Sequence, residues 1–381
     1  MKLFQRLLVA PTALGLIAPL ASNATEINLN AISNYSEELL ELDSNSFSTE
    51  KPLLISGGEG LVDDYDHSSD SFSSTTTASF SADFAIGAVD GGSATTDDAV
   101  NAGYGFQIDL NTSFTGEDSL DVSLDAGNAS AAGISEFDLN SGGDGLTVDG
   151  ISYTFPLGGA TVLVGDTVDG SSLFSTACVY GGPSNTLDDC GNVNAAFVGA
   201  GTTLAASYDF GSGWTAAAGY SGAGETTAGI MTNEGSDSYG VNVAYTADTY
   251  GLSVAYAMVE DATGIDDTYT ALNAYWTPEG FPSISAGYEW GEDGDKADSV
   301  DELTSYFVGI QFEEVGPGTF GAALGTKTPT AEGSSELLMY EAFYSYPIND
   351  GMTITPLVYV KEFATGTDDE TGVMVKTSFS F

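Results

Sequence analysis

GYGFQIDLNTSFTGEDSLDVSLDA, residues 103–126, alternates in steps of two. Tyr104, Phe106, Ile108, Leu110 and Phe114 take even positions, and Gln107, Asp109, Asn111 and Ser113 fall between them. The polar turn Thr115-Gly116-Glu117-Asp118 follows, and then Leu120, Val122 and Leu124 alternate with Ser119, Asp121, Ser123 and Asp125. Successive side chains of a strand point to opposite faces, so this is a hairpin with one apolar face and one carboxylate-bearing face. A single hairpin of this kind also fits a soluble sheet. Recurrence of the pattern, the placement of charge and the spacing of turns decide for a membrane-spanning β-barrel whose polar face lines water.

The pattern recurs along almost the whole chain. Upstream, residues 72–88 put Phe80, Ala82, Phe84 and Ile86 on one face. Downstream, strands are predicted over 146–155, 160–165, 201–210, 214–221, 239–246, 251–259, 269–276, 283–290, 304–312, 320–324, 338–346, 352–361 and 372–381. With the opening hairpin this is an all-β chain of sixteen antiparallel strands. Most are near the ~9–11 residues that a tilted strand needs to cross a bilayer. Parity slips between Val148 and Ile151, which predicts a bulge at Asp149-Gly150.

Connections after even-numbered predicted strands are short, as at Gly211-Ser212-Gly213, and those after odd-numbered ones are longer and acidic. A barrel with tight periplasmic turns and long external loops requires this alternation. It also leaves both chain ends of the barrel on one side, where the last strand can close against the first. Phe114, Phe155, Phe210, Trp214, Tyr245, Trp276, Phe312, Phe320 and Tyr346 sit beside short turns on the apolar face, where an interfacial aromatic girdle belongs. Within strands, Asp83, Asp109, Asp121, Asp125, Asp209, Glu289, Glu341, Lys361 and Lys376 share parity with the polar residues. On the lipid face a mid-bilayer Lys or Arg costs about 2–4 kcal/mol, and Asp or Glu somewhat less.

The 381 residues carry 55 acids against 7 bases, a net charge of −48, with 48 glycines and 2 cysteines. Glycine is costly inside helices, which favours an all-β reading. The missing basic footprint excludes nucleic acid as a partner. Disorder is excluded by a hydrophobic content of 42% with 20 phenylalanines and 19 tyrosines. Residues 1–24 read as a signal peptide: Lys2 and Arg6, an apolar run broken by Pro11 and Pro19, then Ser22-Asn23-Ala24, with cleavage expected after Ala24. The mature net charge is then about −50, and its bases are Lys51, Lys296, Lys327, Lys361 and Lys376, all lysines. Residues 25–70 form an acidic, largely irregular periplasmic segment containing His67, the chain's one histidine, and 71–381 form the barrel domain.

The longest connection, from Asp166 to about Gly199, holds CVYGGPSNTLDDC. In an oxidising compartment Cys178 and Cys190 are expected to pair, a constraint worth about 3 kcal/mol on the unfolded loop. A metal site is not supported by two cysteines without histidine, and no cofactor is expected. A stapled loop of this length either folds inward and narrows the lumen or stays outside as an ordinary loop. It offers Asp166, Asp169, Asp188 and Asp189 and no base.

With these features the chain resembles Gram-negative general porins over about residues 72–381. The leader MKLFQRLLVAPTALGLIAPLASNA, the following EINLNAISNYSEE, and CVYGGPSNTLDDCG resemble more closely the porins of marine picocyanobacteria. The resemblance implies a sixteen-stranded homotrimeric channel in outer-membrane lipid, with an inward-folded third loop. It also implies that Phe381 is the C-terminal aromatic signal read by the barrel-assembly machinery. Two family features are not carried over. Residues 25–70 leave no room for the S-layer-homology domain of larger cyanobacterial porins, and the mature chain has no arginine ladder to set against the loop acids.

The function expected is passive diffusion of small hydrophilic solutes, with inorganic cations preferred because lining carboxylates outnumber lysines. Carbohydrate or iron selectivity is the alternative within this class; Tyr269, Tyr275, Phe343 and Tyr359 have the inward parity a sugar site would need, which packing beneath a loop would equally produce. An enzyme is not expected, because His67 precedes the barrel and pairs with no nucleophile in the pattern. A soluble calcium-binding β-solenoid, hinted at by Gly142-Gly143-Asp144-Gly145, lacks the fixed short repeat that a solenoid requires.

Overall fold

The computed structural model describes residues 75–381 apart from 93–98, 198–200, 225, 228, 233–234, 261–264, 295–300 and 365. The leader, the acidic segment with His67, and Phe72 lie outside the described residues. The strands are β1 (Thr76–Asp90), β2 (Asn101–Thr112), β3 (Ser119–Gly127), β4 (Gly143–Leu157), β5 (Ala160–Asp166), β6 (Thr202–Gly211), β7 (Trp214–Gly222), β8 (Asp237–Thr246) and β9 (Tyr250–Glu260). They continue as β10 (Asp266–Trp276), β11 (Ser283–Glu292), β12 (Glu302–Val315), β13 (Gly318–Thr326), β14 (Thr330–Ala331), β15 (Leu338–Asn349), β16 (Met352–Lys361) and β17 (Glu370–Ser380). Sixteen of these form a closed antiparallel barrel. The extra two-residue β14 pairs with β12 at Leu303 and Thr304, beyond the end of the β12–β13 register.

The seam joins β1 to β17 from Ser81↔Ser380 to Asp90↔Thr371. Phe80 and Phe381 extend it by exchanging backbone hydrogen bonds at 2.9 and 3.0 Å, and their rings stack with centroids 5.7 Å apart. Closure removes the free edge that an open sheet of this size would present. The expected bulge is present: Ser123 pairs with Gly150 and Leu124 with Val148, leaving Asp149 extra. Side chains alternate most plainly on β9, where Leu252, Val254 and Tyr256 are exposed and Gly251, Ser253, Ala255 and Ala257 are buried. Among the described residues no helix is long and apolar enough to cross a membrane. The strands supply the apolar outer surface.

Aromatic pairs cluster at the short-turn end, among them Trp214–Tyr245, Phe312–Phe320 and Tyr153–Phe155. The β2–β3 turn there is organised by one carboxylate. Asp118 Oδ1 accepts from Ser113 Oγ, the Phe114 and Thr115 amides, and Thr115 Oγ1 at 2.8–2.9 Å, while Asp118 Oδ2 accepts from the Tyr153 hydroxyl at 2.6 Å. These donors, led by Tyr153, hold the Asp118 carboxyl well below the usual carboxylate range. A depressed value stabilises the fold above the unfolded value of ~3.9, and the contribution fades as pH falls through the folded one. Asp118→Asn is therefore expected to lower the temperature at which the folded form loses its fast gel mobility at pH 7. The gap from the parent should close only in strong acid. Equal midpoints at pH 7 would contradict this.

Candidate functional site

The barrel interior is occupied by two inward segments. The first is the β5–β6 loop. Its extended arm runs along the wall, donating alternate backbone amides to side chains of different strands: Ser175 to Asn242 Oδ1 on β8, Ala177 to Ser253 Oγ on β9, Val179 to Ser285 Oγ on β11, and Gly181 to Gln311 Oε1 on β12, all at 2.8–3.0 Å. The period of two matches an extended chain laid across the strands. The returning arm is fixed by Glu289 on β11, which accepts from the Asn194 and Ala195 amides and Asn194 Nδ2, each at 2.8 Å. Asn273 Nδ2 donates to the Cys190 carbonyl at 2.9 Å. Cys178 and Cys190 form a disulfide with Cα atoms 6.4 Å apart.

Small inner side chains make room for this loop. At Gly287 a Cβ would collide with the Cys190 carbonyl oxygen, and at Gly219 with that of Gly170. Tyr180 packs on Phe307 and Phe343 with centroids 5.2 and 5.8 Å away and donates its hydroxyl to Glu341 Oε1 at 2.6 Å. Tyr269, Phe343 and Tyr359 are all buried. Their inward parity serves packing beneath the loops, and Tyr275 lies against Gly251.

The second inward segment is the β3–β4 loop, which carries a short 3-10 helix, Ala132–Phe137. Ile134 and Phe137 join the buried cluster with Ala85, Met339, Leu357, Tyr359 and Met374. Glu136 forms an ion pair with Lys361, and Lys376 Nζ lies 5.4 Å from the Phe137 ring centroid. The Asn185 amide donates to the Glu136 carbonyl at 2.9 Å, which ties the two inward segments together.

The inner face of β1–β3 is different. Asp109 accepts from Ser123 Oγ and Gln107 Nε2, Asp121 from Asn111 and Ser119, and Asp125 from Thr147, at 2.6–2.8 Å. Asp83 accepts from Ser378. All these donors are neutral, so the carboxylates are oriented without their charge being cancelled.

No family model matches the chain, and no curated protein matches it. Solved structures do match. An anion-selective porin from Comamonas acidovorans superimposes with a TM-score of 0.60 at 15% identity, covering 81% of this chain and 99% of that one. The fold is that of outer-membrane porins. A mutant of the Rh. blastica porin gives 0.55 at 15% identity over 80% and 100% of the two chains. Pseudomonas putida OprB gives 0.56 at 10% identity over 81% and 94%.

Within this porin fold the expected site residues separate into groups. Asp109, Asp121 and Asp125 stand on the inner wall. Glu289, Glu341 and Lys361 also point inward, but as fasteners of the two loops; Glu289 is 2% exposed and Glu341 4%. Lys376 lies beneath the β3–β4 loop. Asp209 has inward parity but is exposed at a hairpin turn, where it caps the Gly211 amide at 2.7 Å. Asp166 is corrected: β5 runs one residue past Gly165, and Asp166 pairs with the outward Ile151, on the outer side. Asp169 sits in the first turn of the β5–β6 loop. Asp188 and Asp189 are at its stapled tip. Burial pushes Asp189 up to about 7, with Asp188 and Glu289 adding to it. Asp188 opens onto the lumen, yet the surrounding wall and then Asp138 push it up to about 6. Neither cysteines nor charge mark the β3–β4 loop as an inward segment. Its signal was the apolar set Ile134, Phe137 and Leu139 inside a loop assigned to solvent.

Proposed function

We infer that the protein is an outer-membrane porin, a channel for passive diffusion of small hydrophilic solutes that prefers cations, and not an enzyme. The observation that carries the preference is the β1–β3 wall, where Asp109, Asp121 and Asp125 are held only by neutral donors among the bonds described above. The Comamonas relative is described as anion-selective, so the shared fold does not set the sign of selectivity. Lining charge sets it. Porin architecture further supports short turns facing the periplasm, a homotrimer, and Phe381 as an assembly signal. The finer likeness to picocyanobacterial porins rests on the leader and loop motifs alone. A sugar-selective pore is less well supported, because Tyr269, Phe343 and Tyr359 are covered.

A purified channel in a KCl gradient is expected to show a zero-current potential of the sign set by K⁺. A unit charge about 8 Å away in water contributes about 0.5 kcal/mol, roughly a twofold bias. Replacing Asp109, Asp121 and Asp125 together by asparagine should lower the K⁺/Cl⁻ permeability ratio several-fold at low salt, and less at 1 M. An anion-preferring parent channel would reject the reading.

A further inference from the structure

Tyr220 on β7 and Tyr239 on β8 are direct cross-strand partners with ring centroids 5.2 Å apart. Both share parity with the exposed wall residues Trp214, Val241 and Val243, so they meet the outer face. Yet Tyr239 is 37% exposed and Tyr220 only 9%. The β7–β8 loop accounts for the difference. The Met231 backbone amide stands against the Tyr220 hydroxyl, which itself donates to Asp237 Oδ1. Ile230 Cγ2 lies 3.2 Å from where a Cβ on Gly224 would stand, and that Cβ would also meet the side chain of Thr202 on β6. Turns shape the segment: the Thr226 amide donates to the Ala223 carbonyl, Gly229 to Thr226 and Gly235 to Thr232, at 3.0–3.3 Å. These residues of the loop therefore lie on the outer wall, not across the pore mouth.

Their depth follows from strand geometry. A Cβ on Gly222 would strike the Tyr220 hydroxyl, so that hydroxyl lies level with Gly222, eight residues beyond the girdle residue Trp214. A strand tilted ~40° climbs about 2.5 Å per residue, which places that level about 20 Å above the short-turn girdle, inside an apolar band ~25 Å tall. Met231 and its neighbour Ile230 stand there 66% and 42% exposed. Met231 holds a left-handed φ of 57°, which is disfavoured for a non-glycine residue. The stretch Thr226–Asn233 carries no charge, unlike DGDKADSVD in the β11–β12 connection.

We propose that Ile230 and Met231 form a lipid anchor, a loop tip seated among the acyl chains just beneath the outer headgroups. The proposal rests on the porin reading. It extends the lipid-facing surface of Leu204, Tyr239 and Val241, all exposed on the same wall, onto a connection that would otherwise belong to solvent. Both side chains are stabilised by leaving water for hydrocarbon. Hydrocarbon cannot satisfy backbone amides. Here the turns take those of Thr226, Gly229 and Gly235, and the Tyr220 hydroxyl faces that of Met231. Tyr220 and Tyr239 supply the amphipathic rings that suit the boundary between chains and headgroups.

The test uses the full-length protein with its three tryptophans replaced by Trp214→Phe, Trp276→Phe and Trp290→Phe. One tryptophan is then returned by Met231→Trp or by Ile230→Trp. In vesicles of phosphatidylcholine brominated on its acyl chains, either variant is expected to lose most of the emission it shows in unbrominated vesicles, and to resist iodide supplied on both sides. Asp248→Trp, in an exposed turn, should respond the other way. Retention of the boiling-dependent gel shift shows that a variant is folded. If the tryptophan-free background loses that shift, the same quenching is read on the emission that Met231→Trp adds to the parent. A KCl-conducting channel whose added tryptophan is quenched by iodide and not by bromine overturns the anchor and leaves the porin reading standing. Emission reached by neither quencher shows that a second copy covers the loop, which also overturns the anchor. Absence of any channel from the parent overturns both.

Discussion

A Glu289→Ala channel is expected to conduct more than the parent and to switch noisily between levels, while its barrel stays closed. Glu289 is the most heavily used fastener of the β5–β6 loop, with two backbone amides and one carboxamide ending on its oxygens. A hydrogen bond to a charged acceptor contributes about 1.5–3 kcal/mol, and each buried donor left behind costs about 1–3 kcal/mol. The strand itself loses little, because Ser283–Glu292 keeps both neighbours through its backbone ladder. The penalty is concentrated in the returning arm of the loop, which swings from the wall to recover water for its amides. Glu289→Gln preserves an acceptor and should stay near the parent. Removing the disulfide with Cys178→Ser and Cys190→Ser is a different perturbation. It frees the unfolded chain by about 3 kcal/mol but leaves the amides of Ala177, Val179 and Gly181 on the wall. That variant should melt earlier yet conduct much as the parent does. Single-channel recordings of the three proteins decide the matter: a quiet, parent-like Glu289→Ala beside a wide disulfide-free channel would show that the staple, not the carboxylate, positions the loop.

The barrel was legible in the sequence because a strand with lipid on one side and water on the other has to alternate. Leu252, Val254 and Tyr256 against Ser253 and Ala255 state the rule in five residues. Even the bulge at Asp149 showed as a slip in parity, since an extra residue flips every side chain beyond it. Parity does not say what meets the inner face. Tyr359 and Phe343 point inward as read, but against protein, because lumen water and a packed loop both lie on that side. The β5–β6 loop could be suspected from its length and cysteines. The β3–β4 loop carried no such marker, and its partners, Gly87, Gly103 and Gly105, are distant in sequence from the residues that press on them. Asp166 was misplaced for a smaller reason: a strand end is fixed by its partner, here Ile151, which a single strand's pattern does not reveal.

Lys361→Met is expected to release the β3–β4 loop, and adding Glu136→Leu is expected to seat it again. The two side chains are 13% and 7% exposed, and Glu136 Oε2 has no hydrogen-bond partner beyond the ion pair made by Oε1. Removing one member of a buried pair costs about 3–5 kcal/mol because a charge is stranded, whereas replacing both by apolar groups of similar volume is often neutral. An apolar replacement suits the segment, since Ile134 and Phe137, which flank Glu136 in sequence, belong to a buried apolar cluster with Leu357 and Met374. The barrel does not depend on the pair: β16 keeps its ladders to β15 and β17. The cost therefore falls on the 3-10 helix, whose amides over Ala132–Phe137 should exchange with deuterium faster in Lys361→Met and return toward parental protection in the double variant. The same release bears on the constriction. Glu136 faces Asp188, so stripping it of Lys361 leaves one more uncompensated negative charge beside the β5–β6 loop tip. K⁺ preference should then rise in Lys361→Met and fall back when Glu136 is also removed. Parental exchange rates in the single variant would show that apolar packing alone holds the loop, and a double variant as unprotected as the single would show that the pair is needed for more than cancelling charge.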